Sequence, residues 1–406
     1  GNGDTVRQIG SVLSGGSIAA TSGRDTLVKA STVVADGKVS INAKGDLSIV
    51  SAADRDTGDY ATSSKKSGTI GSNFQPAIGT VKTTTDGKHA NSTQVGSQIA
   101  SLGGDVELTA GGRYTQTASQ VKAPGGDIAI TAKDVLVNAG YSTTDSTDHM
   151  TYAKTAIGGT VSVPLINAVK GIKGMVDAGK TTKDSRMQAL AATNIAANAF
   201  DGIDSAADLA KGDMTGIKIS VSLGNTKSES NTVQSANVAV GSTIAAGGSV
   251  NIKATGGGKE SNITAIGSDI SAGKDITLFA DNKVNLLAAE STVSQHSTNS
   301  SSGTSIGIGI AFGGAQTGMT FDFAASKARG SADGDDLSHS NSHVKGGGVV
   351  TVTSGGDTNV KGGVISGEKV VAQIGGSFNV ESRQDSSKYA SKQVSAGFNV
   401  YSGSTF

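Results

Sequence analysis

A short motif recurs along this chain at intervals of about 20 residues, and repetition at this length is typical of stacked architectures. The motif consists of a glycine turn, one small polar residue and a strand in which apolar and polar residues alternate. One copy begins at Gly103, and its strand covers residues 106–110. Further copies begin at Gly15, Gly125, Gly247, Gly273 and Gly375.

The alternating strands are too small to fold alone, which predicts that the repeats stack. Each strand can bury only one or two aliphatic side chains, such as Val39 and Ile41. In a stack, each backbone pairs with the repeats above and below at about 4.8 Å, and the aliphatic side chains form continuous columns. The sequence therefore predicts a parallel β-solenoid with one repeat per coil, in which residues 46–49 and 134–137 are second strands of their coils.

A β-sandwich of scattered hairpins is the alternative. It requires turn signals about every 8 to 12 residues and does not account for the longer repeat. Only three prolines occur, so nearly every residue keeps an N–H group for a sheet. We therefore expect an all-β fold.

The coils occur in pairs, and a longer insertion follows each pair. We place the coil pairs at about residues 12–53, 97–140, 235–289 and 344–381, within one β-helix segment that covers residues 1–406. The insertions lie at about residues 54–96, 141–234 and 290–343, with a truncated one at 382–406. Each contains a Ser/Thr-rich ascent, a glycine-alternating strand and a return, so each is predicted to be an extruded β-hairpin.

The second hairpin differs from the others because a helical pattern interrupts it at residues 164–212. Leu165, Ile166 and Val169 follow helical spacing, and Pro164 occupies a favourable first-turn position. A second helix is predicted to begin near Ser185. The sequence thus predicts one helical insertion in an otherwise all-β chain.

Charge and cysteine content exclude several classes of function. The 34 basic and 34 acidic side chains cancel, so no net field attracts nucleic acid over long range. The chain has no cysteine, which excludes disulfide frameworks, zinc ribbons and thiol catalysis. No apolar run approaches the roughly 18 to 20 residues of a membrane helix, and we do not expect the residues from Gly1 onward to form a signal peptide. We expect the chain to be part of a longer protein.

The glycine-turn coils and the Ser-rich hairpins together resemble the haemagglutinin repeats of filamentous-haemagglutinin-type exoproteins. The resemblance rests on coil motifs such as those at Gly103 and Gly247 and on the hairpin motif Ser305-Ile306-Gly307-Ile308-Gly309, and it covers essentially the whole chain. Within that family the pattern is similar to the CdiA-like effectors of contact-dependent growth inhibition, which two-partner systems secrete. The helical insertion departs from the plain hairpin pattern.

The resemblance implies a right-handed parallel β-helix that is secreted to the bacterial cell surface, in association with the outer membrane. Family members are exported unfolded through a partner outer-membrane pore, and the lack of cysteine agrees with that route because no disulfide can close before export ends. Their stalk ends in a toxin that is delivered into a touching bacterium. We expect the secretion domain and the toxin to lie outside this chain, so we expect neither enzymatic activity nor a cofactor here.

One acidic segment that contains histidines is a candidate metal site. Asp333, Asp335, Asp336, His339 and His343 carry suitable ligand atoms for a divalent cation. Their spacing matches neither an EF-hand loop nor the nonapeptide calcium repeat. A solvated loop is predicted instead.

Other polar residues also have simple explanations. His89, His149 and His296 lie in polar segments without a paired nucleophile or carboxylate nearby, and we predict that they are solvated. The Asp-Arg-Asp triplet at residues 54–56 suggests a polysaccharide-cleaving β-helix, but one triplet before an insertion gives weak support. Catalysis is not predicted.

The third hairpin has the clearest one-sided pattern. Apolar residues occupy every second position on both sides of a Gly-Gly turn, and they are Ile306, Ile308, Ile310, Phe312, Met319, Phe321 and Phe323. This face either packs on a neighbouring hairpin or coil, or forms an apolar strip that contacts a target-cell envelope. The run is too short for a membrane-spanning strand of about 9 to 11 residues, so surface docking is predicted rather than insertion.

Two functions remain. The chain is either a structural and delivery segment, whose β-helix supplies length and rigidity for toxin delivery to neighbouring bacteria, or an adhesin that binds a host glycan or protein without delivering a toxin. In both cases we expect a monomer that does not bind nucleic acid. Its expected partners are the secretion pore during export and a target-cell envelope or surface receptor.

Overall fold

A computed structural model describes residues 1–70, 77–162, 217–312 and 318–405, and these ranges consist almost entirely of β-strands. The strands form four sheets of eight strands each. A single 3₁₀ turn at Gly258–Glu260 interrupts the strands of the described ranges. The predicted helical insertion at residues 164–212 lies outside the described residues.

The strands fall into two length classes. Solenoid strands contain 4 to 6 residues, whereas the main hairpin strands contain 18 to 24. In chain order they are β1 (Gly3–Val6), β2 (Val12–Gly15), β3 (Ile18–Ser22), β4 (Thr26–Lys29), β5 (Thr32–Ala35), β6 (Val39–Ala43), β7 (Leu47–Val50), β8 (Ala52–Thr69), β9 (Ala77–Val95), β10 (Gln98–Ser101), β11 (Val106–Ala110), β12 (Arg113–Thr117), β13 (Gln120–Ala123), β14 (Ile128–Ala132), β15 (Asp134–Asn138), β16 (Gly140–Ser162), β17 (Ile217–Val240), β18 (Thr243–Ala246), β19 (Val250–Ala254), β20 (Ile263–Ile266), β21 (Asp269–Ala272), β22 (Ile276–Ala280), β23 (Val284–Leu287), β24 (Ala289–Phe312), β25 (Gly318–Ser340), β26 (Ser342–Gly346), β27 (Val349–Ser354), β28 (Thr358–Lys361), β29 (Gly363–Ser366), β30 (Lys369–Ile374), β31 (Phe378–Glu381) and β32 (Ser386–Thr405).

Three of the sheets are parallel and form the walls of a solenoid with eight coils. Each coil contributes one strand to each wall, so that coil 1 contains β2, β3 and β4. Equivalent residues pair directly, as Val106 does with Val39 in one neighbouring coil and with Ile128 in the other. This arrangement confirms the predicted parallel β-helix, and β7 and β15 are the second strands that the sequence predicted.

The repeat did not predict the wall that begins with β2 and β5. Its strands are short and bury few side chains, as in β5, where only Val33 and Ala35 are buried. Two small residues in a four-residue segment give almost no periodic signal. Each coil therefore has three strands, where the motif revealed two.

The core is a set of aliphatic columns that run from coil to coil. In one column, six residues lie in direct register, each at most 1% exposed, and they are Val39, Val106, Ile128, Val250, Ile276 and Val350. Burial of apolar surface contributes about 25 cal/mol per Å². Because each coil adds only a few small side chains, the coils are stable only as a stack.

The glycine turns are required because adjacent coils approach closely there. A Cβ at Gly126 would lie 2.2 Å from the Gly104 carbonyl oxygen in the preceding coil and 2.6 Å from Asp105 Oδ1. The polar residue after the glycines joins the two coils, since the Asp127 amide donates to Asp105 Oδ1 at 2.8 Å. The same bond from an amide to an aspartate of an adjacent coil recurs at other turns, where the acceptors are Asp25, Asp46, Asp127, Asp275 and Asp357.

Buried serines form a ladder of hydrogen bonds at the corner of successive coils. The serine ladder consists of Ser97, Ser119, Ser242, Ser268 and Ser342, each at most 1% exposed. The Ser97 amide donates to Ser119 Oγ at 3.0 Å, and that hydroxyl donates to the Thr117 carbonyl at 2.7 Å. The Ser119 amide continues the ladder by donating to Ser242 Oγ at 3.2 Å. These bonds satisfy backbone groups that would otherwise be buried without partners.

The insertions form one antiparallel sheet, the hairpin sheet, in the order β1-β8-β9-β16-β17-β24-β25-β32. Consecutive hairpins pair with each other through β9 with β16, β17 with β24, and β25 with β32. The predicted ascent and glycine-alternating strand are one continuous strand, such as β24, and β17 continues to Val240, past the predicted coil boundary near residue 235. The hairpins are thus extruded as predicted, but they do not stand apart from one another.

The pairing of coils follows from strand spacing. Strands lie about 4.7–4.9 Å apart in both parallel and antiparallel sheets. Two coils therefore advance along the solenoid axis by the same distance as the two strands of one hairpin. Because two hairpin strands separate each coil pair from the next, the solenoid and the hairpin sheet stay in step.

We expect Gly126→Ala to destabilise the solenoid by about 1–3 kcal/mol, because the new Cβ would overlap the Gly104 carbonyl and push two coils apart. Urea unfolding followed by circular dichroism would show a lower midpoint. Gly16→Ala is the matched control, since Gly16 occupies the same turn in coil 1 and a Cβ there meets nothing within 4 Å. Equal destabilisation by both substitutions would contradict the close-approach explanation.

Ser119→Ala should leave the buried Ser97 amide without its acceptor and cost about 1–3 kcal/mol. Hydrogen exchange at the Ser97 amide should accelerate at least tenfold. Ser64→Ala, on an exposed part of β8, is the control and should change stability by less than about 0.5 kcal/mol. A Ser97 amide that stays equally protected in the Ser119 variant would show that the ladder bond is dispensable.

Candidate functional site

Apolar side chains cover one face of the hairpin sheet at its distal end. Strand register places Leu223 beside Ile306, and Ile306 beside Phe323. Equivalent rows continue across the sheet from β9 to β32. We call this surface the apolar band, and its residues are Ile78, Ile157, Ile219, Val221, Leu223, Ile306, Ile308, Ile310, Met319, Phe321, Phe323, Phe398 and Val400.

The apolar band is open to solvent. Ile306 is 61% exposed, Phe321 52% and Phe323 38%, so no coil or hairpin packs over this face. The Phe323 and Phe398 rings lie 5.7 Å apart at 44°, which joins β25 to β32 within the band. Phe312 is the last residue of β24, and its side chain lies outside the described part of the chain.

The opposite face carries small residues at the same level. Gly307 and Gly309 alternate with the band isoleucines on β24 and are buried. A Cβ at Gly309 would lie 2.8 Å from both the Ile219 carbonyl oxygen and Ser220 Cβ. The glycine-alternating motif therefore makes the hairpin tips apolar on one side only.

The sequence predicts contact residues on the third hairpin, whereas the apolar band of the structure extends over other hairpins as well. Ile219, Val221 and Leu223 share the same period-two alternation. That signal was available, but the sequence did not reveal that successive hairpins pair edge to edge. This pairing places the rows of separate hairpins on one continuous face.

A row of cations crosses the same face closer to the solenoid. This cation row follows the strand register from one hairpin to the next. It begins with Lys65 beside Lys82 and continues through Ala153, Lys227 and Ser302 to Lys327. Arg329 lies two positions further along β25. Within the described ranges, none of these five cations forms an ion pair or hydrogen bond. Lys82, Lys227, Lys327 and Arg329 line a shallow groove of about 440 Å³.

Every histidine lies against a carboxylate. His149 Nδ1 is 3.0 Å from Asp86 Oδ1, and its Nε2 is 3.2 Å from Glu229 Oε1. The other pairs are His89 with Asp56, His296 with Asp333, His339 with Asp385 and Glu290, and His343 with Asp269. The prediction that His89, His149 and His296 lack a carboxylate nearby is therefore wrong, because their partners come from adjacent strands that are distant in sequence.

The acidic segment considered as a metal site is part of a strand and not a loop. Asp333, Asp335, Asp336 and His339 lie on β25, and His343 lies on β26. Alternate residues of a strand face opposite sides, which separates Asp335 from Asp336. In the ranges that the structure describes, no three His, Asp or Glu side chains converge as metal ligands.

The Asp-Arg-Asp triplet has a structural role on β8. The Gln8 amide donates to Asp54 Oδ1 at 2.6 Å, and the Thr5 hydroxyl donates to Asp56 Oδ1 at 2.8 Å. These bonds hold the first strand on the edge of the hairpin sheet. Each of the two carboxylates therefore accepts a hydrogen bond from the first residues of the chain.

Two carboxylates raise the pKa of His149 above its usual value, mainly through the hydrogen bond to Asp86 and then through the one to Glu229. Because the folded-state pKa is raised, the His149 pair stabilises the fold, and this contribution is complete below the unfolded pKa of about 6.5. It is lost as pH rises through the folded-state pKa.

Asp86→Asn should lower the His149 pKa in an NMR titration, because it removes the main hydrogen bond that raises it. Asp333→Asn, which alters only the His296 pair, is the control; an unchanged His149 pKa in the Asp86 variant would contradict the assignment.

Within the described ranges, the structure contains no helix with the length and apolar character that a bilayer span requires.

The family model described as "Hemagglutinin repeat" matches residues 1–68, 78–212 and 223–396. No solved structure matches the chain significantly.

Curated relatives match nearly the whole chain. The "16S rRNA endonuclease CdiA" of Enterobacter cloacae subsp. cloacae is 34% identical over 376 residues, which is 90% of this chain and 11% of that protein. The "tRNA nuclease CdiA" of Escherichia coli strain NC101 is 34% identical over 379 residues, 91% of this chain and 11% of the relative. The "Deoxyribonuclease CdiA" of Dickeya dadantii is 32% identical over 370 residues, 90% of this chain and 11% of the relative. The chain thus spans 11% of the length of each, and the stacked coils together with these matches show that it belongs to the hemagglutinin repeat family.

Proposed function

We propose that this chain is a rigid stalk segment of a secreted bacterial surface exoprotein that presents or delivers a C-terminal toxin to neighbouring bacteria. The continuous stack of eight coils along one axis supports the stalk role, because each coil adds length without requiring a separate core. The names of the CdiA relatives support the link to a toxin.

The segment itself is not an enzyme in this proposal. The relatives are named for activities on 16S rRNA, tRNA and DNA, although each matches this chain over about the same share of its length. The same region is thus found in proteins with three different named activities. It would support the toxin in each of them without determining the toxin's substrate. The nuclease activities would therefore belong to other parts of the relatives.

Export through a two-partner secretion pore fits the construction of the coils. The chain has no cysteine, so no disulfide can trap it before it is threaded. Each coil contacts mainly its neighbours, so the solenoid can form coil by coil as the chain emerges. The chain would then act as a monomer at the cell surface, associated with the outer membrane.

The hairpins would contact the target-cell envelope. The observation that carries this step is the exposed apolar band on one face of the hairpin sheet. Contiguous apolar surface of this kind typically marks an interaction site. The contact includes the predicted residues Ile306, Ile308, Ile310, Phe312, Met319, Phe321 and Phe323, together with the neighbouring band residues on β17 and β32.

A double substitution in the full-length exoprotein tests this contact. Ile308→Ser with Phe321→Ser removes two directly paired band residues and should reduce target-cell attachment and toxin entry at least tenfold. The solenoid should stay folded by circular dichroism, because both side chains are more than half exposed. Ser220→Ala with Ser222→Ala, on the opposite face, is the control.

Unchanged attachment and entry in the band variant would refute a role for the hairpins. Attachment through the band without any toxin activity in the bound cell would instead identify the protein as an adhesin. Toxin entry is therefore measured beside attachment in every variant.

A further inference from the structure

Building on the envelope contact proposed above, we propose that the hairpin sheet binds a bilayer that carries anionic phosphate headgroups. The apolar band would lie at the boundary between headgroups and acyl chains, and the cation row would contact the phosphates. This assigns to Lys82, Lys227, Lys327 and Arg329 a ligand of defined chemistry.

The order of residues along the strands supports this assignment. The last band row contains Leu223, Ile306 and Phe323, and the cation row follows four residues closer to the solenoid. At about 3.4 Å per residue, the two rows are about 14 Å apart, and the flexible lysine side chains can lean toward the band. From β16 to β25, a row of small and polar residues separates them, and it consists of Thr155, Asn225, Thr304 and Ala325. On β32 the same row contains Phe398 of the band.

One carboxylate on this face, Glu229, lies level with Arg329 and is held by His149, and the others lie closer to the solenoid. On β9, Asp86 follows Lys82, and on β25, Asp333 follows Lys327. The face thus passes from apolar to cationic to mixed charge, as the polarity changes from the inside of a bilayer outward. Peripheral membrane proteins use the same combination of buried apolar side chains and adjacent basic residues.

The cations are available for a ligand. Lys82, Lys227 and Lys327 are exposed, and no carboxylate in the described ranges neutralises them. They lie on alternate strands, so neighbouring cations are about 9–10 Å apart across the sheet. The net charge of the chain is zero, so this row is a local concentration of positive charge and not part of a general excess.

A second copy of the chain is a poorer occupant of this surface. If two copies packed band against band with their hairpin tips aligned, the two cation rows would face each other. Like charges held opposite one another disfavour that arrangement. A phosphate-bearing surface, in contrast, complements both rows at once.

Vesicle binding of the whole chain tests the proposal. The protein is floated with vesicles of phosphatidylcholine alone or with 30% phosphatidylglycerol, and binding to the anionic vesicles should be at least tenfold stronger. A rise in ionic strength should weaken that binding, since salt screens the headgroup charge. Because each lysine near such a surface contributes about fivefold, K82Q with K227Q should reduce anionic-vesicle binding at least tenfold.

The chain offers a matched control for charge. Lys66 and Lys154 lie next to the cation row in sequence but on the opposite face, so K66Q with K154Q removes the same charge. This control should change binding by less than twofold. Circular dichroism of both double variants checks that the solenoid is intact.

Several results would overturn the proposal: equal binding to neutral and anionic vesicles, equal loss in both double variants, or no vesicle binding. Binding of a soluble acidic polysaccharide without binding of vesicles would also overturn it. If vesicle binding fails while the Ile308 and Phe321 variant still loses attachment to intact cells, the envelope contact stands and its partner is not a lipid. If both experiments fail, both proposals fall.

Discussion

Backbone hydrogen bonding between neighbouring strands sets one distance on which both parts of this molecule are built. Each coil wall and the hairpin sheet place a strand about every 4.7–4.9 Å along the axis. The turns must respect this spacing, and Gly126 shows how tightly, since a single added carbon would meet the backbone of the coil before it. The aspartate acceptors and the serine ladder also join adjacent coils, through hydrogen bonds to side-chain oxygens. These polar groups therefore reinforce the spacing that the backbone hydrogen bonds set.

The stacked coils could be predicted because their signal repeats. A glycine turn followed by an alternating strand identifies β6, β11, β14 and β19, and the stacking follows from how little each strand can bury. The wall that contains β5 escaped prediction because its four residues bury only Val33 and Ala35. The serine ladder escaped for another reason: a serine before a strand is a common residue in a common place, and only stacking gives it a partner.

The surface of the hairpin sheet was predictable in part. Period-two alternation in residues 306–310 identifies a one-sided strand, and the structure places those residues on one exposed face. The sequence does not show which strand lies beside another when the partners come from different hairpins. The contact of His149 with Asp86 spans 63 positions, and the cation row takes single lysines from separate hairpins. Such rows can be recognised only when the register between hairpins is known.

The match of two coils to each two-stranded hairpin also limits how a chain of this kind can grow in evolution. A duplication that added a single coil would displace every later hairpin by one strand spacing along the axis and leave a gap in the hairpin sheet. Only a complete module of two coils and one hairpin can be copied or lost without a mismatch. Lengths among related genes should therefore differ in whole modules, even where the tips of the hairpins have diverged.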